Sequence, residues 1–112
     1  MASREEDLKN LERLGNEIII GDSIIVEYLV NRWVMVMEVE RIKRRLGMPI
    51  YRPEVEMDRL NKIREIAEKD SGGYRRIADF IVTIYKMIML NSSVEQMIQR
   101  EEATARDAKN KE

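Results

Sequence analysis

Apolar residues recur along this chain at helical spacing, not in the alternation of strands. Leu11, Ile18, Ile25, Val39 and Leu46 follow one seven-residue register, interrupted at position 32, and Leu14, Tyr28, Met35 and Ile42 fill the companion positions. Such a pattern is the seam of a helix that packs on another helix along its length. Ser3-x-x-Glu6 reads as a capping box, so a helix is predicted from residue 4 to Leu46, where Gly47 offers a left-handed stop and Pro49 prevents resumption. A second helix is predicted from Pro53, a residue suited to a first helical turn, to near Asp70, before Gly72 and Gly73. A third runs from close to Tyr74 to about Arg100. Beyond it EEATARDAKNKE loses its apolar face and is expected to fray. The predicted organisation is a helical domain over residues 1–102 and a tail over 103–112.

The first helix creates a length problem. Residues 4–46 would span about 64 Å at 1.5 Å per residue, whereas a compact chain of this size has a radius of gyration of about 13 Å, hence a diameter near 34 Å. The other two helices together cannot cover both ends of so long a seam. The expected architecture is therefore all-α, a three-helix chain with a very long first helix that forms an intertwined helical homodimer. The alternative is a first helix broken at Gly15 or Gly21, each costing up to about 1 kcal/mol relative to Ala.

Composition narrows the chemistry. Lys and Arg number 20 against 21 Asp and Glu, a formal charge of −1, so no global argument favours nucleic acid or an anionic membrane. With neither Cys nor His, disulfides, thiol nucleophiles, Cys/His metal sites and imidazole bases are all excluded. Whatever chemistry the chain carries out falls to Arg, Lys, carboxylates, amides or hydroxyls. The N-terminus, MASREEDLKN, has no apolar core of signal-peptide length, and no apolar run approaches the roughly 20 residues that span a bilayer, so a cytoplasmic protein is expected. The basic stretch RIKRRLGMPIYR, residues 41–52, has one aromatic residue and acidic flanks, which suits a solvated helix end better than a nucleic-acid surface.

What remains are polar residues on apolar faces. Arg32 occupies the interrupted heptad position, and a guanidinium in a seam is costly unless an anion meets it. Lys43, eleven residues on, returns to within about 20° of the same direction and about 16 Å along the axis. Glu56 shares a stripe with Leu60, Ile63 and Ala67, and the stripe Ile77, Ile81, Ile84, Ile88 continues into Ser92 and Gln96. Each has a bland reading: Arg32 paired with a buried Glu, Lys43 snorkelling to solvent, Ser92 and Gln96 marking the end of the core. Together they read as a ligand site in a bundle interior, with two cations suited to a small dianion.

From YLVNR through VERIKRRLGMPIYRPEVE to NSSVEQ, with Asp22 ten before Arg32, Lys43 eleven after it, Glu56 thirteen further on, and Ser92 and Gln96 four apart, the sequence resembles the all-helical AroQ-class chorismate mutases over roughly residues 8 to 100. The resemblance implies an intertwined homodimer whose sites are each completed by the partner's long first helix. It also implies the rearrangement of chorismate to prephenate, on the route to phenylalanine and tyrosine, without cofactor, nucleophile or obligatory proton transfer. By the same resemblance Lys43 and Gln96 donate to the breaking ether oxygen, Arg32 binds a carboxylate, Glu56 accepts from the ring hydroxyl, and Ser92 contacts the ring carboxylate region. Three positions depart from the family pattern. Gly15 stands where the family carries an arginine that crosses into the partner's site, with Arg13 two residues away as its possible substitute. Arg52 replaces an aspartate, returning a cation to the substrate region, and Val55 replaces an arginine. Lower activity or a different substrate would follow from these departures. The alternatives are an isochorismate-pyruvate lyase of the same fold, or a non-catalytic helical dimer.

Overall fold

The computed structural model describes residues 2–111, which form three helices: α1 (Arg4–Arg45), α2 (Pro53–Asp70) and α3 (Arg75–Asn110). Local signals set most of the boundaries. The Glu6 amide donates to Ser3 Oγ at 3.2 Å, one half of the expected capping box. Gly47 takes φ 66°, and the Gly47 and Met48 amides donate to the Arg44 and Lys43 carbonyls at 3.2 and 2.8 Å. This is the Schellman arrangement, in which a left-handed residue lets the chain satisfy the last helical carbonyls. Gly72, at φ 68°, ends α2 in the same way, with the Gly72 and Gly73 amides on the Lys69 and Glu68 carbonyls. α1 continues without interruption through Gly15 and Gly21, so neither glycine breaks it.

The chain divides into two compact units, one ending at Met35 and the other beginning at Val36. The first is a stretch of single helix. Its heptad residues are exposed, Leu11 at 67%, Ile18 at 63% and Ile25 at 58%. The second unit holds the small core, with Met37, Ala67, Ala78, Val82, Met89 and Ala103 all buried. Here α2 packs along α3, where small side chains such as Ala67 and Ala78 permit close approach. Arg64 Nη1 joins Asp79 Oδ1 across the pair at 2.7 Å. The end of α1 is attached to α3 by side-chain hydrogen bonds. α1 gives Met37 and Glu40 to the interior of this unit, while Val39 and Ile42 on the heptad rows remain partly open.

Three expectations change. α3 does not end near Arg100 but continues to Asn110. The residues 101–110 are mostly good helix formers, and Ala103 is buried. The buried line on α3 runs through Ala78, Val82, Met89 and Gln96, one step round from the predicted isoleucine stripe, so that Ile77 and Ile84 are exposed. Spacing fixes a helix's period, but the neighbouring α2 chooses which of two adjacent apolar lines faces inward. Finally, α3 contains an 18-residue window of mean hydropathy 1.3, long and apolar enough by length and composition to cross a membrane, contrary to the expectation that no run would qualify. A polar residue such as Lys86 or Asp79 breaks the run in sequence without lowering the average enough. A mostly buried core helix of a soluble protein meets the same description, but only 17% of this window is buried in the single chain, where α3 packs on α2.

Candidate functional site

Lys43 stands in the last turn of α1, half-buried, with its Nζ donating to the Ile50 carbonyl at 3.1 Å across the turn that leads to α2. Its pKa is lowered from the usual lysine value, first by burial and then by the cations of Arg52, Arg59 and Arg100, while Glu56 opposes the shift. These four groups come from the start of α2, its second turn and the far part of α3. The ammonium is thus disfavoured by its own surroundings, a situation that a bound anion reverses. Arg52 and Arg100 each have a carboxylate nearby, Glu54 at 3.7 Å and Glu40 at 4.0 Å, and Arg59 is exposed.

Gln96 is buried on α3, and its Nε2 donates to the Val36 carbonyl of α1 at 2.9 Å. The amide has a second N–H, which that contact orients. One turn later Gln99 Nε2 donates to the Met37 carbonyl at 3.0 Å, and Arg100 Nη1 to the Met48 carbonyl at 3.0 Å. Three successive inward positions of α3 therefore grip the end of α1 and its turn.

Glu56, half-buried on α2, lines a cleft of about 280 Å³ with Tyr51, Leu60, Lys86, Met89 and Ser93. Ser93 Oγ donates to Glu56 Oε1 at 3.4 Å, a long contact with one of the two carboxylate oxygens. Ser92, the expected neighbour of Gln96, donates its hydroxyl to the Ile88 carbonyl of its own helix at 2.9 Å. Arg52 is the N-cap residue of α2 and lies 3.7 Å from Glu54. In unit two the structure thus sets Lys43 among Arg52, Glu56, Arg59 and Arg100, while Gln96 is held separately on the Val36 carbonyl with Ser92 one turn from it. Arg32 is half-buried in unit one. Arg13 is exposed there and pairs with Glu17 at 3.1 Å. Among the described residues no group of three or more acidic side chains is placed to hold a metal.

The profile of the family described as chorismate mutase type II matches residues 14–108, most of the chain. The chain belongs to that family. Comparison with curated proteins gave no match, and comparison with solved structures gave none. In this member of the type II chorismate mutase family, Lys43, Arg52, Arg59 and Arg100 face one another where the end of α1, the start of α2 and the far part of α3 meet. Sequence reasoning missed Arg59, Arg100 and Ser93 there. Arg59 and Arg100 are arginines in charge-rich helices and carry no periodic signal of their own. Ser93 sits next to the serine that the spacing singled out, and only the packing of α2 on α3 shows which hydroxyl reaches Glu56.

Proposed function

We propose that this protein is a chorismate mutase acting in the cytoplasm on the route to phenylalanine and tyrosine, as a homodimer with intertwined first helices. The observation that carries the reading is the family match over residues 14–108, with Lys43 half-buried on the Ile50 carbonyl and facing the cations Arg52, Arg59 and Arg100. A unimolecular rearrangement needs its substrate held in the compact reactive conformer, and charge stabilised where it develops on the breaking ether oxygen. Lys43 and Gln96 supply the two N–H donors for that oxygen. Glu56 accepts from the ring hydroxyl. Arg32 binds one substrate carboxylate, Ser92 meets the ring carboxylate region, and Arg52 adds positive charge where the family has an acid. None of these roles calls for a nucleophile or an imidazole, in keeping with a chain that has neither Cys nor His.

Purified protein incubated with chorismate and, separately, with isochorismate is expected to form prephenate from the first and to release no pyruvate from the second. Pyruvate from isochorismate without prephenate from chorismate would reassign the protein as a lyase. Turnover of neither would leave a non-catalytic helical dimer.

Gly15 offers a gain-of-function test. A Cβ built there meets nothing within 4 Å, and the residue is helical. Gly15→Arg is expected to raise the melting temperature, since a helical Gly costs up to about 1 kcal/mol relative to good helix formers. It is also expected to lower KM for chorismate about tenfold by restoring a charge-assisted contact from the partner subunit, a gain typical of hydrogen bonds to charged groups. A higher melting temperature with unchanged KM would place position 15 outside the site.

A further inference from the structure

Glu40 is wholly enclosed, one turn before Lys43 on α1. Its Oε2 lies 3.6 Å from Arg44 Nε and 4.0 Å from Arg100 Nε. Neither carboxylate oxygen has a hydrogen-bond partner among the protein atoms, nor do Nε and Nη2 of Arg100, so the attachment is Coulombic. An enclosed carboxylate deprived of its cations would be strongly unfavourable, which holds both arginines to it. Arg100 has a second attachment, through Nη1 to the Met48 carbonyl. Two residues further along the same turn, the Ile50 carbonyl accepts from Lys43 Nζ.

We propose that Glu40 and Arg100 are positioning residues for Lys43: the enclosed pair pins the turn after α1 against α3, and so fixes the carbonyl on which the Lys43 ammonium rests. The inference builds on the role given to Lys43 under Proposed function. Several features support it. Arg100 is one of the three cations that disfavour the Lys43 ammonium, with Arg52 and Arg59, while Glu56 faces it with the opposite sign and Glu40 and Arg44 flank it on α1. Arg100 also projects from the same face of α3 as Gln96, one turn away, so the residue that pins the turn and the second proposed donor are set by one helix.

A purely structural pair can be replaced by apolar residues of similar size with little loss, whereas a positioning pair cannot. Arg100→Met is expected to lower both the melting temperature and, by about ten- to a hundredfold, kcat/KM for chorismate, the scale of a misplaced catalytic group. The double variant Glu40→Met/Arg100→Met is expected to recover the melting temperature but not the activity. Because a cation facing Lys43 has gone, the alkaline limb of its kcat/KM profile should move to higher pH. Acylation of the Lys43 amine, followed by mass spectrometry across pH, should move in the same direction, while Arg100→Lys should leave both close to the parent. A folded double variant with parental kcat/KM and parental Lys43 acylation would overturn the inference, as would an Arg100→Lys variant that shifts as far as Arg100→Met. The acylation reading does not depend on chorismate. If the parent proves inactive, the functional reading falls while the coupling of Arg100 to Lys43 is still decided.

Discussion

Lys43→Ala is expected to reduce kcat for chorismate by on the order of 10²-fold or more, with a smaller change in KM. Removing a donor aimed at charge that develops in the transition state costs turnover first. The structure strengthens the expectation, since burial and three arginines make the Lys43 ammonium costly in the unliganded protein. An interaction that grows as the ether oxygen gains electron density relieves that cost when the barrier is crossed. Gln96→Ala should act in the same direction but more mildly, because a neutral amide is the weaker donor. Gln96→Glu should titrate. Its ionised carboxylate would face the Val36 carbonyl, now acceptor against acceptor, as well as the ether oxygen, so activity should rise as pH falls and the carboxyl is protonated to a donor. The parent has no ionisable group at position 96 and should change much less. Steady-state kinetics on variants shown to be folded would check each point, and near-parental turnover by a folded, dimeric Lys43→Ala would remove Lys43 from the mechanism.

Sedimentation equilibrium at micromolar concentration is expected to give about twice the 13.3 kDa of one chain. Helix α1 extends over 42 residues, and its heptad residues Leu11, Ile18 and Ile25 are each more than half exposed in the single chain. A soluble monomer rarely presents so continuous an apolar surface. Ile18→Glu with Ile25→Glu places two carboxylates in the seam and should shift the chain to monomer, because an unpaired charge cannot be buried there without a large desolvation cost. Activity should fall with the dimer if each site is completed by the partner. A parent chain that sediments as a stable, folded monomer would refute the intertwined arrangement.

How much of this was legible beforehand differs by residue. Helix boundaries other than the end of α3 were written locally. Ser3 caps its own neighbour, Gly47 and Gly72 take the left-handed conformation that side chains resist, and Pro53 opens α2; each effect acts within a few residues. Glu56 was found as a polar residue in an apolar stripe, because burial has a period that sequence displays, whereas Gln96 was read from an isoleucine stripe but is buried with the neighbouring line of Ala78, Val82 and Met89. The choice between adjacent lines on α3, settled in favour of Ala78, Val82 and Met89, was not so written, since it depends on the shape that α2 presents.

The sequence by itself determined the three helices, the heptad spacing of apolar residues on α1, the absence of imidazole and thiol side chains, and the choice of Lys43 and Glu56 as polar residues on apolar faces. Only the tertiary structure decided what surrounds them. It placed Arg59 and Arg100 with Lys43, set Gln96 on the Val36 carbonyl, turned Ser93 toward Glu56, and enclosed Glu40 between two arginines. The physical reason is range. Caps, turns and periodicity are fixed by neighbours a few residues apart, whereas the partners of a charge in the interior lie up to sixty residues away and are chosen by packing, which no single segment encodes.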